Sequence, residues 1–234
     1  MIIGVLGGMG SYATLHFFHK YLRIFSAEKE WDRPRIIIDN RCTMPSRVRA
    51  ILYKEEYEQV VGEISESLRL LMNAGCDHII LACNTSHIFL EDVYRQVPEA
   101  ESKVFHIIDN LAKKLLKHDE KSTIYSLIAS EGTIQSGIYQ TIFEKYGLSI
   151  QSPGNEVYGQ LRYYIECVKK NEINEKVKSD FAEFIQELNC NNLILGCTEF
   201  PVLLDFIEDE MEDVNIYDPL ENALQELRMK YDQI

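Results

Sequence analysis

Short apolar runs alternate with longer amphipathic segments along the whole chain. The apolar runs have the length of buried strands and fall at residues 1–6, 35–39, 78–82, 104–107, 123–128, 148–151, 192–195 and 214–217. Helical periodicity predicts helices at about residues 13–25, 53–73, 84–97, 110–118, 138–146, 156–170, 175–188, 202–211 and 220–234. This alternation of strands and helices predicts an α/β fold with parallel sheets.

One stretch of the pattern occurs twice without a gap, at residues 76–85 (CDHIILACNT) and 190–199 (CNNLILGCTE). Each copy is an apolar run that ends in a small residue and then a cysteine, Cys83 or Cys197. Ligands of open α/β sheets bind beyond the carboxyl ends of the strands, so we expect both cysteines at equivalent edges of two halves. A single cysteine of this kind is more often a small buried hydrophobe, but the matched pair favours a shared site in a cleft.

The composition fits an ordinary globular chain of 234 residues, with 46% hydrophobic and 26% charged residues. A net charge of -13 argues against nucleic-acid binding and requires any anion site to be built locally. No apolar stretch is long enough to span a membrane, and the N-terminal residues read as a strand and not as a signal peptide. The six cysteines form no C-x-x-C pair. We therefore expect a cytoplasmic protein with reduced thiols and no zinc ribbon.

Two thiols that face each other across a cleft suit the inversion of a stereocentre, which needs a base on one face of a carbon and an acid on the other. A cysteine serves as the base if its thiol pKa, about 8.5 when unperturbed, is lowered by a helix N-terminus or by hydrogen-bond donors. Asn84 and Thr85 after the first thiol, and Thr198 and Glu199 after the second, are expected to supply such donors.

A glycine-rich loop, residues 7–11 (GGMGS), follows the first strand. Such a loop lets backbone N–H groups approach an anion closely. Residues 8–13 also fit the dinucleotide fingerprint G-x-G-x-x-A. That match is weak, because Asp39 lies 29 positions after Gly10 where the fingerprint expects an acidic residue after about 20.

Cations and histidines offer further candidates. Arg47 follows the second strand and has the geometry to clamp a carboxylate, whereas Arg49 reads as a surface residue. Lys169 ends a helix, where a cation is favourable for dipole reasons alone. Among the histidines, His16 and His19 lack a third metal ligand, and His87 either tunes Cys83 or packs beside it.

Several of these motifs together resemble the aspartate/glutamate racemase family of cofactor-independent amino-acid racemases. The motifs are residues 7–10 (GGMG), 45–47 (PSR), 83–87 (CNTSH), 132–139 (GTIQSGIY), 196–199 (GCTE) and 218–219 (DP). The resemblance covers nearly the whole chain. It implies two pseudo-symmetric α/β domains with the active site in the cleft between them, and a last helix that packs back on the first domain. We accordingly expect one domain of residues 1–97 and 218–234 and another of residues 98–217.

The resemblance also implies roles for individual residues. Cys83 and Cys197 match the two acid/base thiols, and neither pyridoxal phosphate (PLP) nor a metal is expected. Arg47 matches the arginine that binds the substrate carboxylate. The remaining positions carried over as substrate-binding are Met9, Ser11, Asn84, Thr85, Lys169, Thr198 and Glu199.

Two departures from the family pattern matter. Many members carry Asp where Ser46 stands. Glutamate racemases proper open with an Asp-Ser turn and carry His where Glu199 stands, which argues against a strict glutamate racemase.

The resulting prediction is a PLP-independent racemase of aspartate and/or glutamate, acting as a homodimer that binds neither nucleic acid nor membranes. Two alternatives stay open. One is related chemistry of the maleate isomerase, hydantoin racemase or arylmalonate decarboxylase type. The other is a non-catalytic amino-acid-binding homologue.

Overall fold

Two parallel sheets form the centre of the fold. The structure, a computed structural model, describes residues 1–118, 123–207, 211 and 213–233. The strands are β1 (Ile2–Gly7), β2 (Arg35–Asn40), β3 (His78–Leu81), β4 (Ile124–Ala129), β5 (Ser149–Gln151), β6 (Asn192–Gly196) and β7 (Asn215–Tyr217). The helices are α1 (Ser11–Ile24), α2 (Arg47–Tyr53), α3 (Tyr57–Asn73), α4 (Leu90–Gln96), α5 (Ile107–His118), α6 (Glu131–Ser136), α7 (Ile138–Lys145), α8 (Tyr158–Lys170), α9 (Glu175–Glu187), α10 (Phe200–Leu204) and α11 (Pro219–Tyr231).

The two sheets have equivalent strand orders, β2-β1-β3 in the first and β5-β4-β6-β7 in the second. In each sheet the first strand of the half is central, and the third strand of the half lies beside it. The strands that precede Cys83 and Cys197, β3 and β6, are these third strands. The predicted α/β class with two mostly parallel sheets is confirmed, and the repeated stretch occupies equivalent places in the two halves.

The register of the strands brings the candidate residues to one edge of each sheet. In the first sheet Leu6 pairs with Asp39 on one side and Leu81 on the other. In the second sheet Ala129 pairs with Gly196. Because parallel strands end at the same edge, the segments that follow β1, β2 and β3 converge, as do those that follow β4 and β6.

The prediction of a fourth strand at residues 104–107 is wrong. Only Val104 forms a bridge, with Ile79 of β3, at the position where β7 pairs with β6 in the second sheet. Backbone hydrogen bonds join Ile79 to Lys103 and Phe105, but α5 begins at Ile107, so the chain turns into a helix before a strand can extend.

The helix predicted at residues 53–73 is two helices, α2 and α3. Lys54 and Glu56 between them have positive φ values of 59° and 52°, in the left-handed region that ends a helix. Periodicity alone missed this break because neither residue is a glycine. Residues 84–97 are also divided, into a 3-10 segment (Thr85–Phe89) and α4.

Smaller differences concern segments near the carboxyl edges of the second sheet. Helix α6 lies between the strand predicted at residues 123–128 and the helix predicted from residue 138, where the periodicity predicts no helix. Ser130 caps α6 by accepting a hydrogen bond from the backbone N–H of Thr133. The helix predicted at residues 202–211 is largely wrong: only residues 202–204 are helical, as the end of α10, residues 205–207 form a turn, and residues 208–210 lie outside the described residues. Position 234 of the last predicted helix also lies outside them.

The larger hydrophobic core is shared by both halves. It joins one face of the first sheet, including Ile3 and Val5, to the second sheet through α1, α5 and α11. Buried Lys20 of α1 ties these elements together by ion pairs with Asp218 (2.8 Å) and Glu221 (2.6 Å) of the α11 region. The division into residues 1–97 with 218–234 and residues 98–217 stays a prediction. In the described part of the chain, no helix is both long and apolar enough to cross a membrane.

Candidate active site

A cavity of about 270 Å³ lies where the carboxyl edges of the two sheets face each other. Nine of the residues predicted for the site line it: Met9, Arg47, Cys83, Asn84, Thr85, Lys169, Cys197, Thr198 and Glu199. Ser11 does not; it is exposed at the start of α1, and its hydroxyl accepts a hydrogen bond from Asn40 (3.1 Å). Two thiols from equivalent strand ends therefore share one cavity.

The backbone that carries Cys83 is held by a buried histidine. The Nε2 atom of His87 accepts the N–H of Ile107 (3.5 Å), so its Nδ1–H donates to the carbonyl oxygen of Cys83 (3.0 Å). Burial, together with the neighbouring His106, lowers the pKa of His87 to about 3. His87 is thus neutral at physiological pH and packs behind the first thiol, with no free nitrogen for proton transfer.

The environment of Cys197 is different, because an acidic side chain accepts its proton. Its Sγ donates to Oε2 of Glu199 (3.0 Å), and the same oxygen accepts the hydroxyl of Thr198 (3.2 Å). Burial and the Glu199 carboxylate raise the pKa of Cys197 well above its ordinary value. The expectation that Glu199 lowers the pKa of this thiol as a donor is wrong, since a carboxylate can only accept from it and opposes the thiolate.

The second oxygen of Glu199, Oε1, is buried beside the glycine-rich loop. Glu199 is only 2% exposed, and its Oε1 atom is buried without a hydrogen bond to any described residue. The glycine loop lies directly against it, since a Cβ on Gly10 would sit 2.9 Å from Oε1. Leaving a buried acceptor unpaired costs roughly 1–3 kcal/mol, so this oxygen is well suited to a ligand cation or donor.

Arg47, expected between the second strand and the helix predicted from residue 53, is instead the first residue of a helix, α2. Its guanidinium donates to the carbonyl oxygens of Met9 (2.8 Å) and Pro45 (2.9 Å), while Nε is buried without a partner. Within the described residues Arg47 has no ion pair with a carboxylate. Ser46 caps α2 by accepting the N–H of Arg49 (3.3 Å), a role that an Asp at this position would fill equally well.

Lys169 lies beside both Glu199 and Glu166 at the cavity. Burial lowers the pKa of Lys169, but Glu199, Cys197 and Glu166 together raise it by more, so the ammonium stays charged. Its Nζ pairs with Glu166 one turn earlier on α8 (3.3 Å).

Sequence reasoning missed several residues that line the same cavity. The chief ones are Ser130, Glu131, Arg162 and Glu166. Arg162 pairs with Glu131 (2.6 Å). Two signals were available: Ser130 and Glu131 directly follow β4, and Arg162, Glu166 and Lys169 share one face of α8 at spacings of four and three residues.

The glycine loop is organised for close packing. Gly8 has φ +82°, and a Cβ there would lie 2.5 Å from the backbone of Arg41. Its N–H donates to Thr14 (2.9 Å) and is not free for a phosphate. Together with the Glu199 carboxylate beside Gly10, this arrangement disfavours the dinucleotide interpretation.

The remaining histidines of the first helix have ordinary surroundings. His16 pairs with Asp205 (2.8 Å) and His19 is exposed. Over residues 1–118, 123–207, 211 and 213–233, no group of three His, Cys, Asp or Glu side chains is arranged to hold a metal ion.

Comparison with known proteins identifies the family. A family model described as Asp/Glu/hydantoin racemase matches residues 6–227, so the chain belongs to this family and the resemblance seen in its motifs is confirmed. The broad specificity amino-acid racemase RacX of Bacillus subtilis is 24% identical over 218 residues, covering 90% of each chain. Glutamate racemase of Aquifex aeolicus is 30% identical over 69% of this chain and 61% of its own length.

A solved structure extends the similarity to nearly the whole molecule. The aspartate racemase of Picrophilus torridus superposes with a TM-score of 0.81 at 27% identity, covering 99% of this chain and 97% of that chain.

Proposed function

We propose that the protein is a PLP-independent racemase of an acidic amino acid, aspartate and/or glutamate, that uses Cys83 and Cys197 as its two acid/base groups. The observation that carries this proposal is that both thiols line one cavity from equivalent strand ends of opposed sheets. The names of the relatives, which include aspartate, glutamate and broad specificity racemases, support the reaction type.

The difference between the two thiols suggests their roles in one direction of the reaction. Cys197 holds its proton at neutral pH because its pKa is raised. Cys83, as the thiolate, removes the α-proton of the substrate, and Cys197 delivers its own proton to the opposite face of the carbon. The product leaves behind a Cys83 thiol and a Cys197 thiolate, which is the state that accepts the other enantiomer.

The charges of the cavity suit an acidic amino acid. Arg47 bonds only to backbone carbonyl oxygens among the described residues, so its charge is free to bind a substrate carboxylate. Oε1 of Glu199 is placed to accept the α-ammonium group. Asn84, Thr85 and Thr198 supply neutral polar groups beside the two thiols: the amide of Asn84 binds a substrate carboxylate throughout the reaction, and the groups of Thr85 and Thr198 stabilise the negative charge of the carbanionic transition state.

A panel assay tests the proposal. Dialysed protein treated with EDTA should interconvert the enantiomers of aspartate or glutamate, measured by chiral chromatography, without added PLP or nicotinamide. Activity that requires either cofactor contradicts the mechanism. Absence of racemisation, with turnover of maleate, a hydantoin or an arylmalonate instead, would favour the alternative chemistry.

We also propose that the protein is a cytoplasmic homodimer. Sedimentation of the purified protein tests whether it is a dimer.

Replacing Arg47 by Ala should raise KM for aspartate and glutamate by about ten- to a hundred-fold, the value of a charge-assisted contact of roughly 1.5–3 kcal/mol. Arg49→Ala is the matched control, because Arg49 also lines the cavity but pairs with Glu55 (2.6 Å). Steady-state kinetics of both variants measure these KM values. Equal KM values for wild type and Arg47→Ala would assign the substrate carboxylate to another cation.

Replacing Glu166 by Gln should lower KM for aspartate by about two- to fivefold and leave kcat unchanged. Glu166 competes with the substrate for Lys169, and a half-exposed pair of this kind is worth roughly 0.2–1 kcal/mol. Glu175→Gln breaks a similarly spaced pair with Lys178 on α9, away from the cavity, and should change nothing. A raised or unchanged KM in Glu166→Gln would mean that Lys169 does not bind the substrate.

A further inference from the structure

A buried tyrosine from the second half holds the residue that follows the first thiol. The side chain of Tyr139 on α7 is fully buried, and its hydroxyl donates to Oδ1 of Asn84 (2.6 Å). Burial, with smaller contributions from Asp218 and Cys197, raises the pKa of Tyr139 well above its ordinary value. The phenol therefore remains a hydrogen-bond donor over the whole physiological pH range.

This hydrogen bond decides which way the amide of Asn84 points. An asparagine amide has one oxygen that accepts and one nitrogen that donates twice. If the amide were flipped, the phenol proton would lose its acceptor inside the core, which costs roughly 1–3 kcal/mol. With Oδ1 held by Tyr139, Nδ2 is left for the cavity that Asn84 lines, and it has no hydrogen-bond partner among the described residues.

A second contact nearby also crosses between the halves. The hydroxyl of Thr85 lies 3.1 Å from that of Ser130 and 2.8 Å from that of Thr133, and these two lie 3.0 Å apart. All three residues are buried. The two positions directly after Cys83 are therefore both fixed by groups that follow β4 in the other half.

We propose that Tyr139 is a positioning residue for racemisation: it orients Asn84 so that both N–H donors of the amide face the substrate carboxylate. The inference rests on the proposed function for the identity of that carboxylate. The orientation itself rests only on the buried hydrogen bond. Tyr139 does not line the cavity and acts only through Asn84.

Tyr139→Phe removes the hydroxyl and keeps the ring. We expect KM for the acidic substrate to rise about tenfold, the upper value for one neutral hydrogen bond, with kcat nearly unchanged, because a carboxylate contact is present before and during the reaction. Tyr164→Phe is the matched control: its ring is buried in the same half, and its hydroxyl donates to the Asp180 carbonyl (2.9 Å) outside the cavity. It should lose similar thermal stability without a change in KM.

A double-mutant cycle with Asn84→Asp separates orientation from general loosening. Asn84→Asp keeps the acceptor for Tyr139 but removes the N–H donors, so Tyr139→Phe should raise KM little further in its presence. Fully additive effects, or the same KM in Tyr139→Phe and Tyr164→Phe, would overturn the proposal.

NMR of the Asn84 side-chain amide tests the orientation without reference to activity. Wild type should show one pair of N–H signals, and Tyr139→Phe should shift or broaden them, whereas Tyr164→Phe should not. Unchanged signals in Tyr139→Phe overturn the positioning role. If wild-type protein racemises nothing, the proposed function fails, and the amide signals alone then decide whether Tyr139 orients Asn84.

Discussion

Cys83→Ala and Cys197→Ala should each lower the rate of racemisation by at least about 10³-fold. Each variant removes the proton-transfer group from one face of the α-carbon, and the remaining thiol cannot reach both faces. Chiral chromatography of aspartate and glutamate measures the effect. The Ser variants should be nearly as impaired, because a hydroxyl is a much poorer base than a thiolate at neutral pH.

Two other cysteines provide controls within the same chain. Cys190 precedes β6 at the end opposite to Cys197, and Cys42 is exposed in the loop after β2. Neither lines the cavity, so Cys190→Ala and Cys42→Ala should retain wild-type turnover. Near-normal racemisation in either Cys83→Ala or Cys197→Ala would refute the two-thiol mechanism, provided circular dichroism shows that the variant is folded.

The second large effect is expected for Glu199→Gln. The change removes the negative charge that accepts the Cys197 proton and the unpaired oxygen Oε1, which in our proposal accepts the substrate ammonium. Contacts of this charged kind are worth roughly 1.5–3 kcal/mol, so kcat/KM should fall by about ten- to a hundred-fold.

The pH profile of Glu199→Gln gives a sharper readout. Without the carboxylate the thiolate is less disfavoured, so the pKa of Cys197 should fall. Activity is lost at high pH when Cys197 loses its proton, and this alkaline limb should therefore move to lower pH. Glu166→Gln removes a cavity carboxylate that has no bond to Cys197 and should leave the limb in place. A limb that stays fixed in Glu199→Gln would show that Glu199 does not control the thiol.

Most of what the sequence predicts about the fold follows from the stretch that occurs twice, at residues 76–85 and 190–199. Two buried runs that end in Ala82-Cys83 and Gly196-Cys197 predict equivalent strand ends, and β3 and β6 occupy equivalent places in their sheets. The strand expected at residues 104–107 failed because an apolar run does not reveal where the next helix begins. Only Val104 pairs with β3 in this run, because α5 begins at Ile107 and leaves too few extended residues for a strand.

The electrostatics of the site were harder to predict than its location. The sequence places Glu199 two positions after Cys197, but only side-chain directions show that the thiol donates to it and that its pKa rises. The pairing of Arg162 with Glu131 likewise joins residues 31 positions apart on different elements. Such pairs follow from tertiary packing, which a one-dimensional pattern does not contain.

The position of solvent deuterium in the first molecules of product tests the central claim most directly. Wild-type protein should be given one enantiomer of its substrate in D2O, and both enantiomers should be analysed by NMR early in the reaction. If two opposed thiols act, the inverted product carries deuterium at the α-carbon while recovered substrate keeps its protium. Deuterium entering the recovered substrate as fast as the product would mean that a single group serves both faces, which contradicts the account.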